Sequence, residues 1–171
     1  MKYVKKRNEL DLTNKFIIAY GIALGIKYLI EQEICYRDLK PNNILLDENY
    51  YPRICDFGLS PIFPSKELKQ KSILGTPAFC PPEILKIWNN NQVEIEKGTE
   101  WKTILDSSKE YDGEKADVFS FGMILWCLFM ERNPDINRDL NGKIERHKLS
   151  FSTGFPEKLK LLIENCCNEK K

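Results

Sequence analysis

From Lys115 to Met130 the chain is apolar on nearly every side of a helix, and no other feature constrains the fold as tightly. The densest stretch, Val118 to Met130, is interrupted by Ser120 and Gly122. It falls well short of the roughly 20 apolar residues a membrane crossing takes. Such a segment has to be a helix enclosed by other elements. The 171 residues suit one domain, and a domain of roughly 150 residues buries about 70% of the surface its unfolded chain exposes.

Other helices are predicted around it. Asp11 to Ile34 repeats Phe16, Ile17, Tyr20, Ala23, Leu24 and Tyr28 near helical spacing, with Leu29 and Ile30 widening the apolar side. Asp11 or Thr13 is the expected cap. Gly21 and Gly25 each cost about 1 kcal/mol relative to Ala inside a helix, and their small size would let another element approach. A short helix is expected over Glu83 to Trp88 and an amphipathic one from about Pro156 to Cys167, while Pro134 should end the central helix. The fold class is therefore mainly α, a helical bundle.

Between these helices, Cys35 to Asp47 reads as a fixed loop entering a short strand, because Pro41 cannot continue a helix comfortably. Tyr51 to Gly58 reads as a second strand and turn, which makes a short β-hairpin region. Leu59 to Pro82 is rich in Ser, Pro and Lys without a sustained period, a long loop of the kind that is usually functional. Asn89 to Tyr111 is polar, carries an Asn run, and reads as an irregular insertion anchored by Trp101, Ile104 and Leu105.

Charge and cysteines exclude several functions. Against 26 Lys+Arg stand 25 Asp+Glu, a net charge of +1, so there is no cationic excess to drive nucleic-acid binding by counterion release. The basic start, Met1 to Arg7, reads as a solvated terminus; no apolar stretch follows closely enough for a signal peptide. Six cysteines include no C-x-x-C pair, and the single histidine, His147, lies far from most of them. That argues against a zinc site and for a reduced, cytoplasmic chain.

The chemistry lies in two short runs. Asp38-Leu39-Lys40-Pro41-Asn42-Asn43 is followed, 18 residues after Asp38, by Asp56-Phe57-Gly58. The first fixes five positions of a pattern that chance supplies in roughly one chain in 20,000 of this size, the second in roughly 2%. Together and in order they resemble the H-R-D-L-K-P-x-N catalytic loop and D-F-G turn of eukaryotic protein kinases, with Tyr36 in place of the histidine. Gly75-Thr76-Pro77-Ala78-Phe79-Cys80-Pro81-Pro82-Glu83 is similar to the family's G-T-P-x-Y-x-A-P-E segment. Asp117-Val118-Phe119-Ser120-Phe121-Gly122 is similar to the D-x-W-S-x-G start of its central helix.

The resemblance covers the whole chain except residues 89–111. It divides the chain into a helix before the catalytic loop (11–34), the catalytic loop and D-F-G turn (36–58), an activation segment (59–83), the insertion (89–111) and the central helix (115–131). It implies a transferase that moves the ATP γ-phosphate to a protein hydroxyl, with ATP and Mg²⁺ as cofactors. Phosphoryl transfer asks a protein mainly for positioning and charge neutralisation. By resemblance Asp38 takes or orients the substrate hydroxyl's proton, worth about 10²–10⁴ in rate. Lys40 neutralises the moving phosphoryl group. Asn43 and Asp56 supply the hard oxygen ligands that Mg²⁺ prefers, and Leu45 lies under the adenine, above Ile124 and Leu128. Arg37 implies regulation by a phosphorylated loop residue, for which Ser72 is the candidate. Thr76 bonds within the loop.

The departures are mild. Family members with Y-R-D are active, Pro81 replaces the usual alanine, and Phe119 keeps an aromatic where tryptophan is usual. Lys40 after the catalytic Asp favours serine/threonine specificity, with dual specificity left open. No G-x-G-x-x-G loop, strand lysine or partner-helix glutamate precedes Tyr36. The chain is therefore read as a C-terminal lobe without the N-lobe, expected to bind Mg-ATP weakly or not at all. Its expected partners are a protein substrate and an N-lobe or kinase partner. The rival reading is a truncated, inactive kinase-like scaffold.

Overall fold

The computed structural model describes residues 10–58, 60, 69–70, 75–95, 111–140 and 142–168. Helix α1 spans Leu12–Glu31. Asp11 caps it, its carboxylate accepting the N–H of Asn14 at 2.7 Å. A 3₁₀ turn over Pro41–Asn43 leads into strand β1, Ile44–Leu46, which pairs antiparallel with β2, Pro52–Ile54. The register sets Ile44 opposite Ile54 and Leu46 opposite Pro52. Strand β3, Lys69–Gln70, pairs with β4, Tyr111–Asp112. Helix α2 runs Pro82–Ile95, α3 runs Gly113–Met130, and α4 runs Glu157–Cys166. Between α3 and α4 lies a hairpin of β5, Ile136–Arg138, and β6, Ile144–Arg146. Among the described residues no helix is long and apolar enough to cross a membrane.

Helix α3 is the axis. Ala116, Phe119, Met123, Ile124, Leu125, Trp126 and Leu128 are all buried and point around its full circumference. They join three apolar clusters: one with Ile18, Ile22 and Ile26 of α1, one with Ile84, Ile87 and Trp88 of α2, and one with Leu159 and Ile163 of α4. Apolar burial of this kind is worth about 25 cal/mol per Å², so a helix enclosed on every side organises the domain.

The two helical glycines of α1 mark a close approach. A Cβ on Gly21 would stand 2.5 Å from Cγ of Pro52, and one on Gly25 2.8 Å from Cδ1 of Ile54. The hairpin β1–β2 thus lies directly on α1, and Gly21 and Gly25 leave the space it fills.

Three element boundaries differ from the sequence reading, the first at α1, which ends at Glu31 rather than at Ile34. Helix α2 continues seven residues past Trp88, through the start of the segment read as irregular. Asn89 explains the extension: its amide nitrogen donates to the Ile144 carbonyl and its amide oxygen accepts the Ile144 N–H, both at 2.8 Å. The rest of that insertion, with Trp101, Ile104 and Leu105, lies outside the described residues. Helix α3 begins at Gly113, capped by Asp112. It ends at Met130, the bound read from the sequence, where Glu131 adopts a left-handed conformation with φ of 54°. The β5–β6 hairpin was not anticipated at all.

Candidate active site

The site is built where the loop between α1 and β1 crosses the N-terminal half of α3. Asp117, on the first turns of α3, is 2% exposed. Its two carboxylate oxygens accept the backbone N–H groups of Tyr36, at 2.6 Å, and Arg37, at 2.8 Å. This clamp holds Arg37 at a φ of 71°, a conformation that ordinary side chains adopt only under constraint. Burial pushes the Asp117 carboxyl up to about 6, although both backbone donors and Arg37 act to lower it.

Immediately after the clamp comes Asp38, which is buried. Its Oδ1 accepts the hydroxyl of Thr76 at 2.8 Å. Its Oδ2 accepts the ammonium of Lys40 and the amide of Asn43, the latter at 3.1 Å. Lys40 reaches Thr76 Oγ1 as well, at 3.0 Å. Asn43 also donates to the Asp38 carbonyl at 3.0 Å. Four residues therefore form one polar knot around a single carboxylate, and charge-assisted bonds of this kind are the strong ones.

The D-F-G turn is tied to the same knot through the backbone. The N–H of Cys55 donates to the Asn43 carbonyl at 2.9 Å, and the Cys55 thiol donates to the same oxygen at 3.3 Å. Asp56 follows directly, at a φ of 65°, with its side chain exposed. The Tyr36 ring meets Phe57 edge-on, centroids 5.3 Å apart at 84°, and its hydroxyl donates to the Cys55 carbonyl. Burial pushes the Tyr36 hydroxyl above the usual phenol range, and the negative charges of Asp38 and Asp56 act in the same direction. Tyr36 thus connects the clamp to the turn.

Thr76 arrives from the other side of the molecule on a segment that is also pinned. Gly75 has a φ of 119°, and a Cβ there would lie 2.6 Å from the Arg37 carbonyl oxygen. Glycine alone lets this segment lie against the catalytic loop. The Phe79 N–H closes a turn onto the Thr76 carbonyl at 2.9 Å, and the Ser120 hydroxyl of α3 reaches the Phe79 carbonyl at 3.0 Å. Arg146 of β6 donates to the Cys80 carbonyl and stacks over Phe119, 4.8 Å from the ring centroid.

Asp38, Lys40, Asn43 and Thr76 are therefore brought together, and Asp56 stands one residue beyond the Cys55–Asn43 contact. Leu45 lies on β1 at 37% exposure, and Ile124 and Leu128 of α3 are buried in the same core cluster as Ile44. Ser72 lies outside the described residues. Sequence reasoning missed the structural parts played by Asp117, Gly75 and Arg146. Asp117 carried a signal, as an acidic residue at the start of an otherwise apolar helix.

The donor set suits a hard cation. Asn43 directs its amide nitrogen at Asp38, which leaves its oxygen for a ligand, and Asp56 offers an exposed carboxylate. Two protein oxygens fit Mg²⁺, which keeps several waters and takes its other contacts from phosphates.

Comparison with known proteins gives the family. The protein kinase domain family matches residues 1–171.

The chain belongs to the protein kinase family.

Its similarity to curated kinases extends along most of it. It is 36% identical over 130 residues to the serine/threonine-protein kinase CTR1 of Arabidopsis thaliana, covering 75% of this chain and 13% of that protein. To the probable serine/threonine-protein kinase kinX of Dictyostelium discoideum it is 30% identical over 175 residues, covering 98% of this chain and 14% of the relative. To the CBL-interacting serine/threonine-protein kinase 20 of Arabidopsis thaliana it is 32% identical over 178 residues, covering 95% and 35%. This kinase chain thus spans between about a seventh and about a third of the length of these relatives.

Proposed function

We propose that this chain is the C-terminal lobe of a serine/threonine protein kinase, and that in the complete domain it transfers the γ-phosphate of ATP to serine and threonine hydroxyls of a protein. The observation that carries the reading is the knot around Asp38. A scaffold has no physical use for a buried carboxylate gripped by Lys40, Asn43 and Thr76.

Each residue has a task in that reaction. An acceptor hydroxyl approaching Asp38 gives its proton to a carboxylate oxygen as the new oxygen–phosphorus bond forms and the bond from the γ-phosphorus to the β-phosphate oxygen breaks, releasing ADP. Lys40, already beside that carboxylate, neutralises charge on the phosphoryl group in flight. Thr76 bridges Lys40 and Asp38, which keeps both side chains in one geometry and supports serine/threonine acceptors. Asn43 and Asp56 would hold Mg²⁺, which when bound neutralises the phosphate oxygens. Leu45 offers an apolar surface for the adenine. The lysine and glycine-rich loop that grip ATP in this family are not among these residues, and we assign them to a segment outside the 171. The six free thiols support a reducing, cytoplasmic setting.

The test is transfer of labelled γ-phosphate to a protein substrate by the complete kinase. Asp38→Asn should lower kcat by about 10²–10⁴, with label recovered on serine and threonine. A wild-type complete domain with no incorporation returns the protein to the scaffold reading.

A further inference from the structure

Neighbouring residues on α3 hold two different segments. Asp117 clamps the backbone of Tyr36 and Arg37 in the catalytic loop. Ser120 donates to the Phe79 carbonyl at 3.0 Å, and the Phe119 ring lies under the guanidinium of Arg146, which donates to the Cys80 carbonyl. About one turn of helix therefore sets the spacing between the catalytic loop and the turn that carries Thr76. The second grip is completed by Arg146, which comes from β6 rather than from α3.

Arg146 is itself fixed. Ile144 and Arg146 stand two apart on β6, so they share one face of the hairpin. Ile144 is buried in the cluster with Cys80, Ile84 and Trp88, whereas Glu145 between them is exposed. Asn89 of α2 brackets Ile144, accepting its N–H and donating to its carbonyl, both at 2.8 Å. The strand is thus held along both edges, by β5 on one and by α2 on the other. A guanidinium is planar and always charged, and this one rests on an aromatic ring, so little of its freedom remains to be lost on binding a carbonyl.

The contacts run on to the reacting centre. Cys80 Sγ stands 3.3 Å from the place a Gly75 Cβ would take, and Gly75 lies against the Arg37 carbonyl. Between Gly75 and Cys80 the chain is folded into the turn that bonds the Phe79 N–H to the Thr76 carbonyl. Thr76 at the head of that turn carries the hydroxyl that Asp38 accepts and Lys40 reaches. Releasing the turn at Cys80 displaces that hydroxyl, and a misplacement of about 1 Å at a reacting centre can cost about 10²-fold in rate.

We propose that Arg146 is a positioning residue for phosphotransfer: from the β5–β6 hairpin, through the Cys80 carbonyl and over the Phe119 ring, it holds the Gly75–Cys80 turn so that Thr76 meets Asp38 and Lys40. The proposal rests on the reading of Asp38 as the residue that takes the acceptor's proton. None of the links is Asn43, Asp56 or Leu45, so the transfer step should feel a change at Arg146 and nucleotide binding should not.

Kinetics of the complete kinase test it. Arg146→Met keeps the apolar stem over Phe119 and removes both the charge and the donor. It should lower kcat about tenfold with KM for ATP unchanged, and Arg146→Lys should recover part of the loss. The double variant is decisive. Thr76→Val already breaks the link at its far end, so adding Arg146→Met to it should cost about twofold more at most. An arginine that only stabilised the fold would instead multiply its loss with that of Thr76→Val. Iodoacetamide labelling of Cys80 gives a readout that needs no phosphotransfer: under native conditions Arg146→Met should label about tenfold faster than the wild type, with Cys35 and Cys127 unchanged. Should Arg146→Met not fold, Arg146→Lys, which keeps the charge and loses the planar stack, carries the same comparisons with a smaller loss. Wild-type kcat in Arg146→Met overturns the proposal, as do losses that multiply in the double variant or Cys80 labelling indifferent to Arg146. Unaltered transfer in Asp38→Asn strikes the phosphotransfer reading and this proposal with it, whereas unaltered transfer in Arg146→Met alone strikes this proposal only.

Discussion

The carboxylate of Asp117 receives the backbone N–H of Arg37 at 2.8 Å across 80 residues of chain. With its second oxygen on the Tyr36 N–H, Asp117 joins the buried central helix to the loop that carries Asp38. That loop is thereby referenced to the buried central helix, not to its sequence neighbours.

That clamp gives a stability prediction with a defined pH dependence. Asp117→Asn replaces one acceptor by a donor and leaves a buried backbone N–H unpaired, at a cost of about 1–3 kcal/mol. The wild-type carboxyl is raised from 3.8 to about 6 by burial. Between those values the folded state keeps a proton that the unfolded chain has shed. This group's contribution to stability is therefore present in full below about pH 4, falls as pH rises towards about 6, and stays constant above. Urea unfolding at a series of pH values should show that decline in the wild type and a flatter profile in Asp117→Asn. A wild-type contribution that grows with pH across this window would contradict the assignment.

Gly75→Ala should destabilise the fold by about 1–3 kcal/mol. The new Cβ would meet the Arg37 carbonyl at 2.6 Å on a backbone whose φ is 119°. Gly154→Ala is the control: its φ is 80°, but nothing lies within 4 Å of the added atom. The comparison, made by thermal or urea melts, separates the close approach from the backbone preference, and Gly75→Ala should be the worse of the two.

Thr76 is testable by kinetics in the complete kinase. Thr76→Val keeps the shape but removes the hydroxyl that Asp38 accepts and Lys40 reaches. A hydrogen bond to a charged group is worth about 1.5–3 kcal/mol, so kcat should fall about tenfold to a hundredfold with KM for ATP little changed. Thr76→Ser should restore most of it. An unchanged kcat in the valine variant would remove Thr76 from the site.

Thiol reactivity offers a check that needs no substrate. Burial pushes Cys35 up to about 11, and Cys80, Cys127 and Cys167 up to about 12. Thiolate is the reactive form. Under native conditions near pH 8, iodoacetamide should leave these four unmodified in a time that labels them fully in urea. Peptide mass mapping reads the result, and rapid native labelling of Cys80 would show that its enclosure against Gly75 and Arg146 is wrong.

The 171-residue chain alone should show no thermal shift with millimolar Mg-ATP, since Asn43, Asp56 and Leu45 offer two metal ligands and one apolar surface without a lysine on the phosphates. A shift of several degrees at micromolar nucleotide would place a second nucleotide-binding element within these residues.

The helices and the motif residues were legible because their signals are local. Apolar residues around the whole of α3 announce burial, and Asp11 caps α1 through a bond three residues away. The β5–β6 hairpin carried a signal in Asn141-Gly142, a turn dipeptide between two short runs beginning with Ile136 and Ile144. The continuation of α2 did not, since its Asn run disfavours helix until Asn89 meets Ile144, 55 residues on.

From the sequence alone came the residue types able to do the chemistry, the spacing that marks the family, and the helix around which everything packs. Only the tertiary structure decided what each of those residues touches. Thr76 reaches Asp38 across 38 residues, Asp117 reaches Arg37 across 80, and Arg146 reaches Cys80 across 66. The physical reason is that periodicity and turn chemistry act over a few residues, whereas a buried polar atom takes whichever partner the packed chain delivers to it.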